Sequence, residues 1–301
     1  MLAASTFFYR RPYWYLALLL APPLLWFGTV YLGSLLALLW QSFYRIDDFT
    51  ARIVREPTLA TYQQLVTQPA NIDIIVRTLT MALAVTLACA VVGLPIATYM
   101  ARYARGRMKA LFYVGVMLPM WTSYLVKVYA WRQLLAKEGI IAWTAGKLGI
   151  AGVLDALLEA PGIGGPSLST SYLGMFIVFT YMWLPFMILP MAAALERVPG
   201  SLLQASADLG ARPAQTFRTV VLPLAVPGIA AGSVFTFSLT LGDYVIPNVV
   251  GAPGYFIGMM VYTQQGTAGN IPLAAAFSVV PIVLISVYLA IAKRFGAFDA
   301  L

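Results

Sequence analysis

Of the acidic residues in this chain of 301, one sits where a charge is costly. Asp243 lies in Leu241-Gly242-Asp243-Tyr244-Val245-Ile246-Pro247-Asn248, inside an apolar run over about residues 224–250. A carboxylate at such depth must pair, accept hydrogen bonds or face water, so an acid within a membrane span is a functional candidate by default. Gly242 and Pro247 beside it suit a locally broken helix whose polar backbone lines a cavity. For a cationic cargo, Asp243 would supply charge, and Tyr244, Trp121 and Trp131 would supply aromatic faces for ammonium groups. The same residues also have a structural reading. Asp243 would then pair with Lys127, Arg132 or Arg77, or lie close to the outer surface, and the aromatic residues would mark the membrane interfaces where tryptophan and tyrosine gather.

Bond-breaking chemistry finds no matching side chains. The chain has no histidine, so the commonest metal ligand and the commonest general base near neutral pH are both missing. A single cysteine, Cys89, excludes an intramolecular disulfide, and no metal site is expected. Gly162, Gly164 and Gly165 are not followed by the lysine of a phosphate-binding loop, so they read as a loop and not as an ATP site. The expectation is a chain with no catalytic residue, metal or cofactor of its own.

The elements that position Asp243 follow from composition. With 61% hydrophobic and 10% charged residues, most of the length is not meant for water. Apolar runs place six all-α membrane spans at about residues 16–41, 74–100, 111–135, 172–195, 224–250 and 273–292. Pro22 and Pro23 predict a bent or late-starting first helix. The third span is expected to be continuous, with Lys127 and Arg132 reaching water near the outer interface. Gly228 and Gly232 have the small-residue spacing that lets membrane helices approach closely, inside the bundle or against a partner subunit. No stretch resembles a soluble domain, so residues 1–301 are read as one membrane domain with its core over about 74–292.

Residues 196–223 interrupt this pattern with a polar segment that carries its own helix punctuation. Ser201 is placed to cap a short helix, Gly210 to end it in a left-handed conformation, and Pro213 to start a second helix at its first position. Pro223 is expected to mark the start of the fifth span. Charge sets the orientation. The ends and loops holding Arg10, Arg11, Arg102, Arg105, Arg107, Lys109, Arg197, Arg212, Arg218, Lys293 and Arg294 carry only Glu196, Asp208 and Asp299 as acids. Residues 42–73 and 136–171 are balanced or acidic, with Asp47, Asp48, Glu56 and Asp73 in the first of them. By the excess of positive charge on cytoplasmic loops, both termini and residues 196–223 face the cytoplasm. The formal charge of +8 is thereby assigned to membrane edges, and no nucleic acid is expected as a partner.

The spacing within this segment carries a resemblance. Gln204-Ala205-Ser206, then Gly210, Val220 and Leu222-Pro223, resembles the cytoplasmic signature of permease subunits of binding-protein-dependent ABC importers. Gln204 and Ser206 stand where the pattern has glutamate and alanine. The resemblance implies a type I importer permease whose coupling helix, with Gln204, Ala205, Ser206, Asp208, Gly210, Leu222 and Pro223, docks on an ATPase. It implies two ATP-binding subunits that use the ATP, a second homologous permease and a periplasmic substrate-binding protein, in the bacterial inner membrane and its lipid. Gln204 and Asp208 share one helical face, and a neutral hydrogen bond at Gln204 would replace the family's charged contact. The six-span layout and the Leu-Gly-Asp-Tyr-Val-Ile-Pro block look like the spermidine/putrescine branch, which also looks like permeases for iron. An ion-gradient-driven secondary transporter and a membrane scaffold are the other readings; the first would need proton or sodium sites, for which Asp243 is the one strong candidate.

Overall fold

A computed structural model describes residues 12–47, 50, 52–251 and 254–297. Arg10, Arg11, Asp48 and Asp299, counted above for orientation, lie outside the described residues. Backbone groups in hydrocarbon have no water to bond, so apolar runs of this length close their hydrogen bonds internally as helices. Among the described residues five helices are long and apolar enough to cross a membrane: α1 (Tyr13–Gln41), α3 (Pro69–Arg102), α8 (Tyr172–Glu196), α10 (Pro213–Gly242) and α13 (Ile271–Arg294). A bent pair, α4 (Gly106–Trp121) and α5 (Tyr124–Leu134), brings the number to six. Shorter helices fill the connections: α2 (Ala60–Thr67), α6 (Ile140–Lys147), α7 (Ala151–Glu159), α9 (Gly200–Asp208), α11 (Val245–Val249) and α12 (Ile257–Gly266). One two-residue antiparallel pair, Arg45–Ile46 with Ile53–Val54, is the only sheet among the described residues.

The third span departs from its expected course. α4 and α5 meet at 96°, with Thr122 and Ser123 extended between them. Pro119 has no N–H for the Gly115 carbonyl, which weakens the last turn of α4; its own carbonyl, near the helix end, accepts from Lys127 Nζ at 2.5 Å and from Thr122 Oγ1 at 2.9 Å. Lys127 therefore turns back across the break, and Arg132 is exposed. The first span does not start late. α1 runs through Pro22 and Pro23, with a π-turn at Phe27–Leu32 directly after them.

Around residues 200–223 one expectation changes and another is qualified. Pro199, not Ser201, occupies the N-cap position of α9, which has no side-chain cap. Pro223 stands in the first turn of the regular α-helical part, Leu222–Gly242, as expected, but helical backbone already leads into it from Pro213. A π-turn at Phe217–Val221, where the Leu222 N–H reaches the Phe217 carbonyl, sits just ahead of Pro223. That wider turn makes room for a ring that would otherwise press on the carbonyl four residues back. Gly210 and Pro213 behave as their chemistry demands: Gly210 has φ +77° and Pro213 is in the first turn of α10.

α8 is the hub, with α3 and α10 packed along it. Met175, Val178, Phe179, Met187, Met191 and Leu195 of α8 are buried together with Val85, Cys89 and Met100 of α3. Helices in lipid gain nothing by hiding apolar surface from one another, so association rests on close packing and internal hydrogen bonds. Gly228 and Gly232 meet that requirement against α8, inside the chain's own bundle. A Cβ on Gly228 would lie 2.7 Å from the Pro190 oxygen and 2.6 Å from the Ala194 Cβ. On Gly232 it would lie 3.0 Å from the Met187 Cα. Gly93 of α3 faces Met191 in the same way. α1 meets α13 along Gly33–Gln41, yet within its most apolar window no residue is buried by the rest of the chain.

Overpacking a tight interface costs on the order of 1–3 kcal/mol, so Gly232→Leu should lower the melting temperature of the detergent-purified protein. Gly115→Ala, at a helix position with nothing within 4 Å of the added carbon, should leave it unchanged or slightly higher. Equal melting curves for Gly232→Leu and the unaltered chain would show that the α8–α10 approach is not a packing constraint.

Candidate functional site

Two groups of residues with chemical potential lie at opposite ends of α10. At its N-terminal end, α9 and the first turns of α10 form a helix–turn–helix outside the apolar bundle. α9 has two faces. Leu203 packs on the main core cluster and Ser206 is buried, whereas Leu202, Gln204, Ala205, Asp208 and Leu209 are exposed. Leu209 is 88% exposed, a large apolar side chain with nothing of this chain covering it. The buried side explains why Ser206 is a hydroxyl residue: its Oγ lies 2.9 Å from Thr216 Oγ1 and straps α9 to the start of α10. Gly210 makes the reversal, its N–H donating to the Ala207 carbonyl at 2.8 Å and that of Ala211 to the Ser206 carbonyl at 3.1 Å. Phe217 joins the core cluster, so the turn is anchored from both arms. Leu222 and Pro223 lie further along α10, part-buried and exposed respectively, outside the α9 turn itself.

At the C-terminal end, α10 stops at Gly242 and the chain restarts as α11 two residues later. Asp243 occupies the gap in extended conformation. Its Oδ1 accepts from the N–H groups of Val245 at 2.8 Å and Ile246 at 3.1 Å, and its Oδ2 accepts from the Tyr124 hydroxyl. The carboxylate thus satisfies the donors exposed where the helix breaks, which is what permits a break at this depth. Neither of the ion pairs among the described residues involves Asp243: Arg77 pairs with Asp73, and Lys109 with Glu196.

Asp243 lines a cavity of about 370 Å³ with Tyr124, Trp183, Ser238, Leu239, Gly242, Tyr244 and Val245. Tyr124 and Trp183 stack at 6.0 Å between ring centroids, and Tyr244 stacks on Tyr262 at 4.9 Å. The cavity brings together Asp243 and Tyr244 from the sequence reading but neither tryptophan. Trp121, 71% exposed, ends α4 on the far side of the break, and Trp131 packs on Tyr181 in the core. Tyr124 and Trp183 take their place. No sequence signal marks either: Tyr124 bonds Asp243 from α5, beyond the break, and Trp183 joins the same cavity from α8, stacked on Tyr124. A larger cavity of about 510 Å³ lies beside Arg77 and Tyr172, but the only charged residue lining it is Arg77, already paired with Asp73.

The helix–turn–helix and the broken tenth helix belong to one stretch of chain. A model of the family described as binding-protein-dependent transport system inner membrane component matches residues 93–297. The chain belongs to this family of ABC importer permeases. It is 65% identical over 297 residues, 99% of this chain and 95% of the relative, to the inner membrane ABC transporter permease protein YdcU of Escherichia coli strain K12. It is 28% identical over 238 residues, 79% of this chain and 82% of the relative, to the spermidine/putrescine transport system permease protein PotB of the same organism. A solved bacterial ABC transporter involved in import of the acidic polysaccharide alginate has the same fold: TM-score 0.72 at 17% identity, covering 97% of this chain and 99% of that one. The permease is accordingly a multi-pass inner-membrane transport component, like its relatives.

The geometry separates two roles of Asp243. Asp243→Ala removes the acceptor for three donors, at about 1–3 kcal/mol for buried groups left unpaired, and should lower the melting temperature of the purified permease clearly. Asp243→Asn keeps an acceptor and should melt within a degree or two of the unaltered chain. If alanine melts like asparagine, the carboxylate does not hold the break together.

Proposed function

We propose that this permease forms the translocation path for a small organic cation of the polyamine class, such as putrescine or spermidine. One observation carries the substrate class: the Asp243 carboxylate, held by three donors, lines a cavity with Tyr124, Trp183 and Tyr244. A carboxylate among aromatic faces attracts ammonium groups through both charge and ring quadrupole. The 28% identity to a spermidine/putrescine permease supports the same class. Iron is the other cargo considered; among the described residues no cluster of three potential metal ligands offers it a site, while a single ammonium group needs no such cluster.

In this reading residues 196–223 and both termini face the cytoplasm, and two ATP-binding subunits, a second permease of the same family and a periplasmic binding protein complete the importer. The exposed face of α9, with Gln204, Ala205, Asp208 and Leu209, docks in a groove on an ATPase subunit. Gln204 offers that partner a hydrogen bond, not a charge. Gly210 and the Ser206–Thr216 strap keep the turn rigid, and Leu222 and Pro223 lie in the helix that receives the push. ATP binding closes the ATPase pair, α9 moves with it, and the spans switch the cavity between inward- and outward-facing. ATP is hydrolysed on the partners.

Two measurements test the parts separately. Gly210→Pro removes the N–H that bonds Ala207 and cannot adopt φ +77°, so ATP hydrolysis by the assembled complex should lose its dependence on the binding protein. Hydrolysis indistinguishable from that of the unaltered complex, here or on deleting residues 202–210, would remove the coupling role. Asp243→Asn should cut the affinity of putrescine uptake at least about tenfold, roughly 1.4 kcal/mol, with the complex intact. Unchanged uptake would take the substrate site away from Asp243. Uptake by the isolated chain in liposomes, driven by a pH or sodium gradient, would instead make it a secondary transporter.

A further inference from the structure

The turn between α3 and α4 reaches across to the root of α9. Arg102, the last residue of α3, donates from Nη1 to the carbonyl of Val198 at 2.9 Å. Lys109, one turn into α4, lies 2.7 Å from the Glu196 carboxylate at the end of α8, and the Tyr113 hydroxyl donates to the same carboxylate at 2.8 Å. Residues 196–198 are the joint from which α9 leaves the bundle, so three side chains, one from the end of α3 and two from the first turns of α4, hold that joint. The arrangement is costly in one respect. Nε and Nη2 of the part-buried Arg102 are themselves buried without a partner among the described residues, so two donors are kept from water while only Nη1 is bonded. A cation beside carbonyls at a helix C-terminus is favourable, yet this satisfies only part of its donor set.

What lies at the other end of α4 gives the joint a purpose. The break at Thr122 and Ser123 is bridged by Lys127, whose Nζ holds the Pro119 carbonyl of α4 while its own backbone belongs to α5. The first residue of α5 is Tyr124, the hydroxyl donor to Asp243. Specific bonds therefore run from the root of α9, through α4, across the break and into the wall of the cavity, without passing along α10.

We propose that α4 and α5 form a second transmission route from the ATPase-docking helix to the Asp243 cavity, entered at Arg102 and Lys109 and carried across the break by Lys127. The proposal rests on the reading of α9 as the docking helix. Motion of α9 pulls residues 196–198, the joint pulls the start of α4, and α5 swings Tyr124 relative to Asp243. Arg102, Lys109 and Lys127 are positioning residues in this scheme; none of them lines the cavity. Coupling along such a chain is established only by showing that both ends bias one moving element.

The test uses the complete complex with its ATPase subunits, a Cys89→Ala background, and spin labels at exposed positions: Ser201 on α9, Val126 on α5 and Val283 on α13 as reference. Distances 201–283 and 126–283 are measured without nucleotide and after trapping with ADP and vanadate. Both should shift in the unaltered complex. In Arg102→Met/Lys109→Met and in Lys127→Met, the 126–283 shift should be lost while the 201–283 shift persists. Arg102→Lys and Lys127→Arg, which keep a donor, should retain both, which separates this role from mere loss of fold. Combining Arg102→Met with Lys127→Met should do no more than either alone, because both interrupt one route. A full 126–283 shift in Arg102→Met/Lys109→Met, or a shift at α9 with none at α5 in the unaltered complex, overturns the proposal. If the α9 label fails to move in the unaltered complex, the docking reading fails first, and with it the route.

Discussion

The close approach of α10 to α8 is the constraint on which the rest of the molecule depends. Without a hydrophobic drive between helices in lipid, the bundle needs backbones near enough for dispersion to act over a long seam. Gly228 and Gly232 allow this by presenting no side chain to Pro190, Ala194 and Met187. Gly93 of α3 gives room to Met191 on another side of α8. Methionines line the seam on α8, and their unbranched side chains fill what the glycines leave. With α8 held between α3 and α10, the two ends of α10 are fixed relative to the bundle.

Those ends are where the polar chemistry sits. A 30-residue helix spans about 45 Å, enough to carry the docking turn at one end and Asp243 at the other. Each end departs from regular helix in a way its residues accommodate. At the start, the π-turn at Phe217–Val221 makes room for Pro223. At the finish, Asp243 accepts the N–H groups of Val245 and Ile246, and Tyr124 completes the carboxylate's bonding. One helix thus links the surface read as an ATPase dock to the cavity read as a cation site, and the α4–α5 pair offers a parallel connection through side-chain bonds.

A fold shared with a transporter of an acidic polysaccharide shows how little the architecture says about cargo. The alginate importer and this permease share one fold over almost their whole lengths at 17% identity, so the architecture by itself identifies no cargo. In this chain one cavity is lined by a carboxylate and aromatic rings.

Much of this was legible in the sequence because the information is local. Composition alone establishes a membrane protein. Residue spacing identifies the polar segment from Gln204 to Pro223, the left-handed turn at Gly210 and the helix start at Pro213, each set by the conformational limits of that residue type. The isolation of Asp243 in an apolar run marks it as unusual, and the small residues at 228 and 232 announce a close contact. Tertiary structure decided the rest. The right-angle break after Trp121, where Lys127 and Thr122 both donate to the Pro119 carbonyl, is invisible to hydropathy because the run stays apolar. Tyr124 lies 119 positions from Asp243 and Arg102 lies 96 from Val198. No periodicity relates residues so far apart; only the packing of α8 between its neighbours brings them within hydrogen-bonding distance.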